Sequence, residues 1–346
     1  MRLEHRCLRA ALREPFEAAH GTVCERELIV VSLEATDGLQ GHGEAAPLAS
    51  YDGVTIEQAQ DALEACRGIL AEYRDVAPVA DVIARCAEAT VVAPALAALD
   101  MALWDLAGRR VREPVWRLLG AARPLPVAVN ATLTARDRSS AAHQAAQARA
   151  EGYTTVKVKV GIGDDAGRLA AVRAFAGPAM AIRIDANGAW SEREAAAALA
   201  ALEPVALELC EEPVRGAAAN RALWRGSPVA IALDESAGDP DALAVRCADA
   251  LCLKLSRCGG ISATLEAAAR ARALGYDVYL ASALDGPLGI AAALHAACAI
   301  APARACGLAT LRLFERGAGP LEPANGTLRP PGGPGLGDGL ARWYAP

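Results

Sequence analysis

The sequence predicts an α/β protein built around a (β/α)8-type barrel, and three observations lead there. From Pro126 onward, short apolar strands alternate with Ala-rich helical stretches, the pattern of a parallel sheet. Eight such units fit into about 190 residues, which suits a closed barrel better than an open sheet. Charged residues recur where those strands end, the rim that carries chemistry in such barrels.

The segment before the barrel has a different character. Leu28-Ile29-Val30-Val31-Ser32-Leu33 reads as a strand by its β-branched content, and Asp37-Gly38 follows it as a hairpin turn. Gly41-His42-Gly43-Glu44 leads to Pro47 and a loop. From Thr55 to Gly108 the apolar spacing is helical, with Ala95, Leu96, Leu99, Leu103 and Leu106 on one face of a single helix. This opening is an α+β unit. The barrel strands are then expected at Val127–Val129, Thr155–Val160, Ala181–Ile184, Leu207–Leu209, Val229–Ala232, Leu251–Leu253, Val278–Leu280 and Leu308–Leu313. The stretch Gly317–Pro346 is Gly/Pro-rich and is expected to run back along the first unit.

Bulk properties narrow the function. With 346 residues the chain can bury a large core, and at 4% aromatic content small aliphatic residues must fill it. A net charge of −6 argues against a nucleic-acid partner. The ten cysteines form no C-x-x-C pair or zinc spacing and read as reduced thiols. Met1–Arg6 lacks a signal-peptide core, and the most apolar run, Leu288–Ala303, is too short to span a bilayer. A cytoplasmic protein with no membrane partner is expected.

The strand ends carry the chemistry. The second ends in Lys157-Val158-Lys159, the third in Asp185 before Ala186-Asn187-Gly188, the fourth in Glu211-Glu212-Pro213, the fifth in Asp234-Glu235-Ser236, and the sixth carries Lys254. From Lys159 to Lys254 the steps are 26, 26, 23 and 20 residues, each about one βα unit. Any one of these residues has an ordinary reading: a solvated loop-edge charge, or a turn in the case of Asp185–Gly188. Five in phase with the barrel repeat describe one rim.

Three converging carboxylates repel one another unless a cation joins them. Asp185, Glu211 and Asp234 offer the oxygen ligands that Mg²⁺ takes, with positions left for a small-molecule carboxylate substrate. Removing that substrate's α-proton makes an enediolate, which the metal would stabilise. Lys157 and Lys159 share a strand face, and two neighbouring ammonium groups are expected to lower each other's pKa. A shift of about three units, worth roughly 4 kcal/mol, would make Lys159 a usable base. Lys254 faces it from the far side of the acids.

Together these motifs, continuing through Lys254-Leu255-Ser256-Arg257-Cys258-Gly259-Gly260, resemble the muconate-lactonizing subgroup of the enolase superfamily over nearly the whole chain. The resemblance implies a capping domain at residues 1–120 that includes Gly41–Pro47, a barrel at 121–316 with its last helix replaced, and a tail at 317–346 packing back on the cap. It implies Mg²⁺, with Mn²⁺ able to substitute, on Asp185, Glu211 and Asp234. It makes Lys159 and Lys254 the acid/base pair, with Lys157 tuning Lys159. Specificity would come from loops around His20 and Tyr51, with Asn187, Ser282 and Asp285 also beside the substrate. A homo-oligomer is compatible with such a barrel. Glu212 departs from the Gln common in the family.

Reactions in the subgroup include muconate cycloisomerisation, dehydration to o-succinylbenzoate, and epimerisation or racemisation of dipeptides or N-acyl amino acids. Ser282-Ala283-Leu284-Asp285 and Ala305–Thr310 resemble o-succinylbenzoate synthases. The Asp-x-Asp that dipeptide epimerases carry at the eighth strand is missing from Thr310–Leu313. The expected activity is therefore that of an o-succinylbenzoate synthase, with N-succinylamino acid racemase, dipeptide epimerase or cycloisomerase as alternatives. A non-catalytic metal-binding barrel is the reading from another class, and the presence of both lysines with all three acids speaks against it.

Overall fold

A computed structural model describes residues 1–18, 21–75, 77–161 and 163–345. The chain opens with an antiparallel sheet of three strands in the order β1 (Arg2–Ala18), β2 (Gly21–Glu34) and β3 (Gln40–Ala45). The β1 strand was not foreseen, because its charged residues hide the alternation. Helices Ile56–Ala71 and Ala93–Val111 cover one face of this sheet, and Val79–Ala89 packs on those two helices. The long helix lies almost in contact with β3: a Cβ at Gly41 or Gly43 would collide with the carbonyls of Ala102 or Ala98. That close approach explains the Gly-His-Gly spacing. Leu33, Leu63, Leu99 and Leu103 belong to a hydrophobic cluster of this unit, separate from the barrel's own core.

The barrel sheet is parallel and has seven regular strands: β5 (Ala131–Leu133), β6 (Thr155–Lys159), β7 (Ala181–Asp185), β8 (Leu209–Glu211), β9 (Ile231–Leu233), β10 (Ala250–Leu253) and β11 (Asp277–Leu280). Between Ala128 and Ala131 the chain turns into the ring. The preceding short strand β4 (Val127–Ala128) instead pairs antiparallel with β12 (Thr327–Leu328) of the tail. The expectation of a first barrel strand at Val127–Val129 is thus corrected to a position a few residues later.

The eighth position is also corrected. Leu308–Leu313 is not a strand; Ala309–Leu313 forms a 3₁₀ helix. Closure rests on Cys306 and Gly307, which bridge in parallel to Val129 and Ala281. The Asn130 amide donates to the Cys306 carbonyl at 3.0 Å, and the Ser282 amide to Gly307 at 3.1 Å. Leu308, Thr310 and Leu311 are all buried, a spacing that suits a tight helical turn rather than the alternation of a strand.

The two units are joined by buried polar contacts. Asp100, on the long helix of the first unit, accepts from the amides of Ile261 (2.6 Å) and Ser262 (3.2 Å) and from the Ser262 hydroxyl (2.5 Å). These amides open the helix Ile261–Ala273, so Asp100 also meets the positive end of its dipole. The tail touches both units: Leu336 donates to Asp105 of the first at 2.7 Å, and the Tyr344 hydroxyl donates to Glu44 of the first and accepts from the Leu288 amide of the barrel at 2.8 Å. The apolar run around Leu288 is the buried helix Pro287–Ile300 of the barrel wall. Among the described residues, no helix is long and apolar enough to cross a membrane.

Candidate active site

The site follows from strand register. Lys159 is the cross-strand partner of Asp185, and Asp185 of Glu211, so one inward position on three neighbouring strands carries Lys, Asp and Glu. Asp234 comes immediately after β9 and Lys254 immediately after β10. All three carboxylates are at most 3% exposed. Their burial is compensated by the lysines. The Lys157 ammonium lies 2.5 Å from Glu211 Oε1 and 2.8 Å from Asp185 Oδ2. Lys159 lies 2.6 Å from the same Asp185 oxygen and 2.7 Å from Asn187 Oδ1. Lys254 lies 2.6 Å from Asp234 Oδ2.

Among the side chains themselves, an opposing influence acts on Lys157. Burial works to lower its pKa, but the carboxylates of Asp185 and Glu211 outweigh burial and raise it. The two strand lysines do not simply face each other, because Asp185 sits between them as a shared counter-ion. Lys254 is likewise raised: Asp234 overcomes the effect of burial. Burial pushes the Glu211 carboxyl up, with Lys157 opposing, whereas Asp185 is held down against burial by Lys157 and Lys159.

Two neighbours shape the acids further. Tyr279 on β11 donates to Glu211 Oε2 at 2.8 Å. Tyr51, from the short helix Ala49–Asp52 of the first unit, donates to Asp234 Oδ1 at 2.7 Å and accepts from Lys254 at 2.6 Å. Its ring lies 4.1 Å from the Lys254 ammonium, within cation–π range. Asn187 (φ 46°) and Glu212 (φ 42°) both adopt left-handed backbone. Asn tolerates this; Glu does not do so readily. Glu212 is held by bonds from the amides of Asp234 (2.8 Å) and Ser236 (3.2 Å), from the Ser236 hydroxyl, and from Asn220 (3.3 Å). It therefore fixes the turn carrying Asp234.

One cavity gathers most of the expected residues. Lys157, Lys159, Asp185, Asn187, Asp234, Lys254, Tyr51 and Ser282 all line it. Glu211 lies beneath its floor, fully buried. Asp285 does not line it. That side chain is buried under the amide of Ala283, with the charges of Arg26 and Asp52 nearby, and burial raises its carboxyl to about 6. His20 lies outside the described residues. The sequence reading missed Phe16, Val23 and Leu48, which bring an apolar wall from the first unit, and Thr310 from the 3₁₀ turn. It also missed Tyr279 and Cys252. Cys252 precedes Lys254 by two residues on one strand, the same alternation that paired Lys157 with Lys159, so its signal was present.

An α/β barrel with paired lysines across a ring of acids, beneath an α+β cap, defines the enolase-type class of enzymes. Comparison with known proteins supplies the family. Residues 140–342 match the family described as "Enolase C-terminal domain-like", and residues 3–120 match the "Mandelate racemase / muconate lactonizing enzyme, N-terminal domain". Muconate cycloisomerase 1-1 of Acinetobacter lwoffii is 31% identical over 292 residues, covering 81% of this chain and 77% of that protein. The o-succinylbenzoate synthase of Mycobacterium bovis is 42% identical over 216 residues, 58% of this chain and 63% of that one. A dipeptide epimerase from Enterococcus faecalis, solved with Mg and the dipeptide L-Leu-L-Tyr, superposes with a TM-score of 0.84 at 26% identity over 91% of each chain. The N-succinyl Arg/Lys racemase of Bacillus cereus gives 0.90 at 25% identity, covering 96% of this chain and 93% of that one. The chain belongs to the mandelate racemase/muconate lactonizing enzyme family, in the muconate-lactonizing subgroup of the enolase superfamily. It is an enzyme of that superfamily, a lyase or an isomerase.

Proposed function

We propose that the enzyme removes the proton α to a carboxylate with Lys159, and that its reaction is the dehydration giving o-succinylbenzoate. The observation that carries this reading is the charge of the cavity. Among the described residues, the acids lining it are Asp185 and Asp234, and each is already paired with a lysine. At the eighth strand position the wall is Gly307 and Thr310. A substrate ammonium would find no free carboxylate there, whereas a neutral, largely apolar body fits against Phe16, Val23 and Leu48. The likeness to the mycobacterial synthase supports the same choice.

The donor set fits a hard divalent ion. Asp185, Glu211 and Asp234 present buried carboxylate oxygens from adjoining strand ends, as Mg²⁺ prefers. We assign these three residues as its ligands; when bound, the ion supplies positive charge where the substrate carboxylate gains negative charge. The remaining work belongs to side chains. Asp185 and Asn187 hold the Lys159 amine in place, and in neutral form it takes the α-proton. The resulting ammonium returns that proton to the departing hydroxide, so the C–O bond breaks and water leaves. Lys254, fixed by Asp234 and Tyr51, remains a cation across the cavity.

One observation favours a second reading. Counting round the eight ring positions, β6 is second and β10 sixth, so Lys159 and Lys254 stand opposite each other. Amines on both faces of one carbon are what racemisation of an N-acyl amino acid needs. The test is incubation in D₂O with each substrate class, followed by NMR. Rapid dehydration of the cyclohexadiene precursor, with N-succinyl amino acids left unracemised, is expected. Racemisation with no dehydration would overturn the first reading in favour of the second.

A further inference from the structure

We propose that Cys252, Glu211 and Asp234 form a mixed thiolate–carboxylate site for a thiophilic divalent cation of the zinc or cadmium kind, overlapping the site assigned to Mg²⁺ and blocking it. The inference rests on the proposed function for its competition with Mg²⁺, and on geometry for the site itself. A Cys252 sulfur, a Glu211 oxygen and an Asp234 oxygen all lie within 4.8 Å of one another. With Zn–S near about 2.3 Å and Zn–O about 2.0–2.2 Å, two donors on one ion lie at most about 4.5 Å apart, so small side-chain rotations close the set.

Two further observations point to a ligand. The Cys252 thiol is 1% exposed, and among the described residues it has no hydrogen-bond partner, although it faces two carboxylates. A second cavity is bordered by Asp234, Cys252 and Arg257, so two of the three donors adjoin open space apart from the first cavity. Donor type then separates the ions. Mg²⁺ draws on oxygen and has no use for the sulfur, whereas Zn²⁺ and Cd²⁺ favour thiolate. Binding forms the metal–sulfur bond and releases the thiol proton to solvent. Asp185 is not a member of this set, so the two sites share two ligands and differ in the third.

The experiment uses the full chain with the exposed Cys7 and Cys24 changed to Ser, titrated with Cd²⁺ and followed by the Cd–thiolate absorption and by equilibrium dialysis. One tight Cd²⁺ with the charge-transfer band is expected. Cys252→Ala should abolish the band and weaken binding by at least about tenfold to a hundredfold, the effect that even an outer-shell change has on a metal site. Cys252→Ser, which alters one atom, should lose the band equally and serves if the Ala variant does not fold. Excess Mg²⁺ should displace Cd²⁺. An unchanged band in both variants overturns the proposal, as does Cd²⁺ binding indifferent to Mg²⁺. Asp185→Asn separates the two readings: it should weaken Mg²⁺ and leave Cd²⁺ in place. Loss of the Cd²⁺ band in this variant overturns the thiolate site, and Mg²⁺ binding left unchanged overturns the Mg²⁺ assignment alone.

Discussion

Replacing Asp100 by Asn should change how stability depends on pH, and the structure gives the size of the effect. Asp100 is fully buried at the junction of cap and barrel. Burial pushes its carboxyl up from 3.8 to about 6, against the hydrogen bonds from Ser262 and Ile261. A carboxyl whose pKa is higher in the folded state holds its proton more tightly there. Its contribution to stability is therefore greatest below pH 3.8 and is lost as pH rises through about 6. The gap corresponds to about 3 kcal/mol, roughly half of it developing above pH 5. Asn keeps an oxygen for the two backbone amides and does not titrate. The Ser262 hydroxyl, which already accepts from Trp104 at 3.0 Å, can turn to accept from the new amide. Urea midpoints measured for both proteins between pH 5 and pH 8 should therefore diverge in favour of Asp100→Asn by about 1–2 kcal/mol. A difference that stays flat across that range would refute the assignment of a buried, proton-holding carboxyl at the junction.

Lys159→Ala should lose about 10² to 10⁴ in kcat while Mg²⁺ affinity, followed by calorimetry, changes little; activity within tenfold of wild type would remove Lys159 as the base. Excess EDTA should abolish turnover, and added Mg²⁺ should restore it; full activity in chelator would end the metal assignment. Glu212→Gln should preserve the fold and raise the thermal midpoint. Burial disfavours the Glu212 charge and raises its carboxyl to about 8; in the neutral amide the oxygen can serve the Asp234 and Ser236 backbone donors while the NH₂ donates to the Ser236 hydroxyl oxygen. A lowered midpoint would show that the negative charge itself holds the turn.

The candidate site was far more legible than its surroundings, for physical reasons. Lys159, Asp185, Glu211, Asp234 and Lys254 recur at intervals set by the βα repeat, so sequence spacing alone predicts a shared rim. Strand alternation placed Lys157 and Lys159 on one face. It could not reveal that Asp185 Oδ2 would stand within 2.8 Å of both ammonium groups, because that depends on cross-strand register. The eighth strand was misread because Leu308–Leu313 is apolar enough for a strand, and sequence does not show that the ring closes with just Cys306 and Gly307. Asp285 was placed in the site by the family resemblance of Ser282–Asp285, yet its side chain is buried with the charges of Arg26 and Asp52 nearby. The apolar wall from Phe16, Val23 and Leu48 was hidden because those residues lie more than 80 positions from the first barrel strand.

The separation of the hydrophobic interior into two clusters has a consequence for how such a protein can diversify. The reacting amines and acids are rooted in strands of the barrel. Tyr51, which reaches over them, rides on a unit with a core of its own. Phe16 and Val23 pack against the barrel's own cluster, so a change there is felt by the barrel, whereas a change behind the three-helix side of the cap is absorbed within the second interior. The power to react and the choice of reactant thus rest on foundations that are separate behind the cap helices and shared at the apolar wall, and a lineage can explore new substrates at least risk to the chemistry from the side of the cap's own interior.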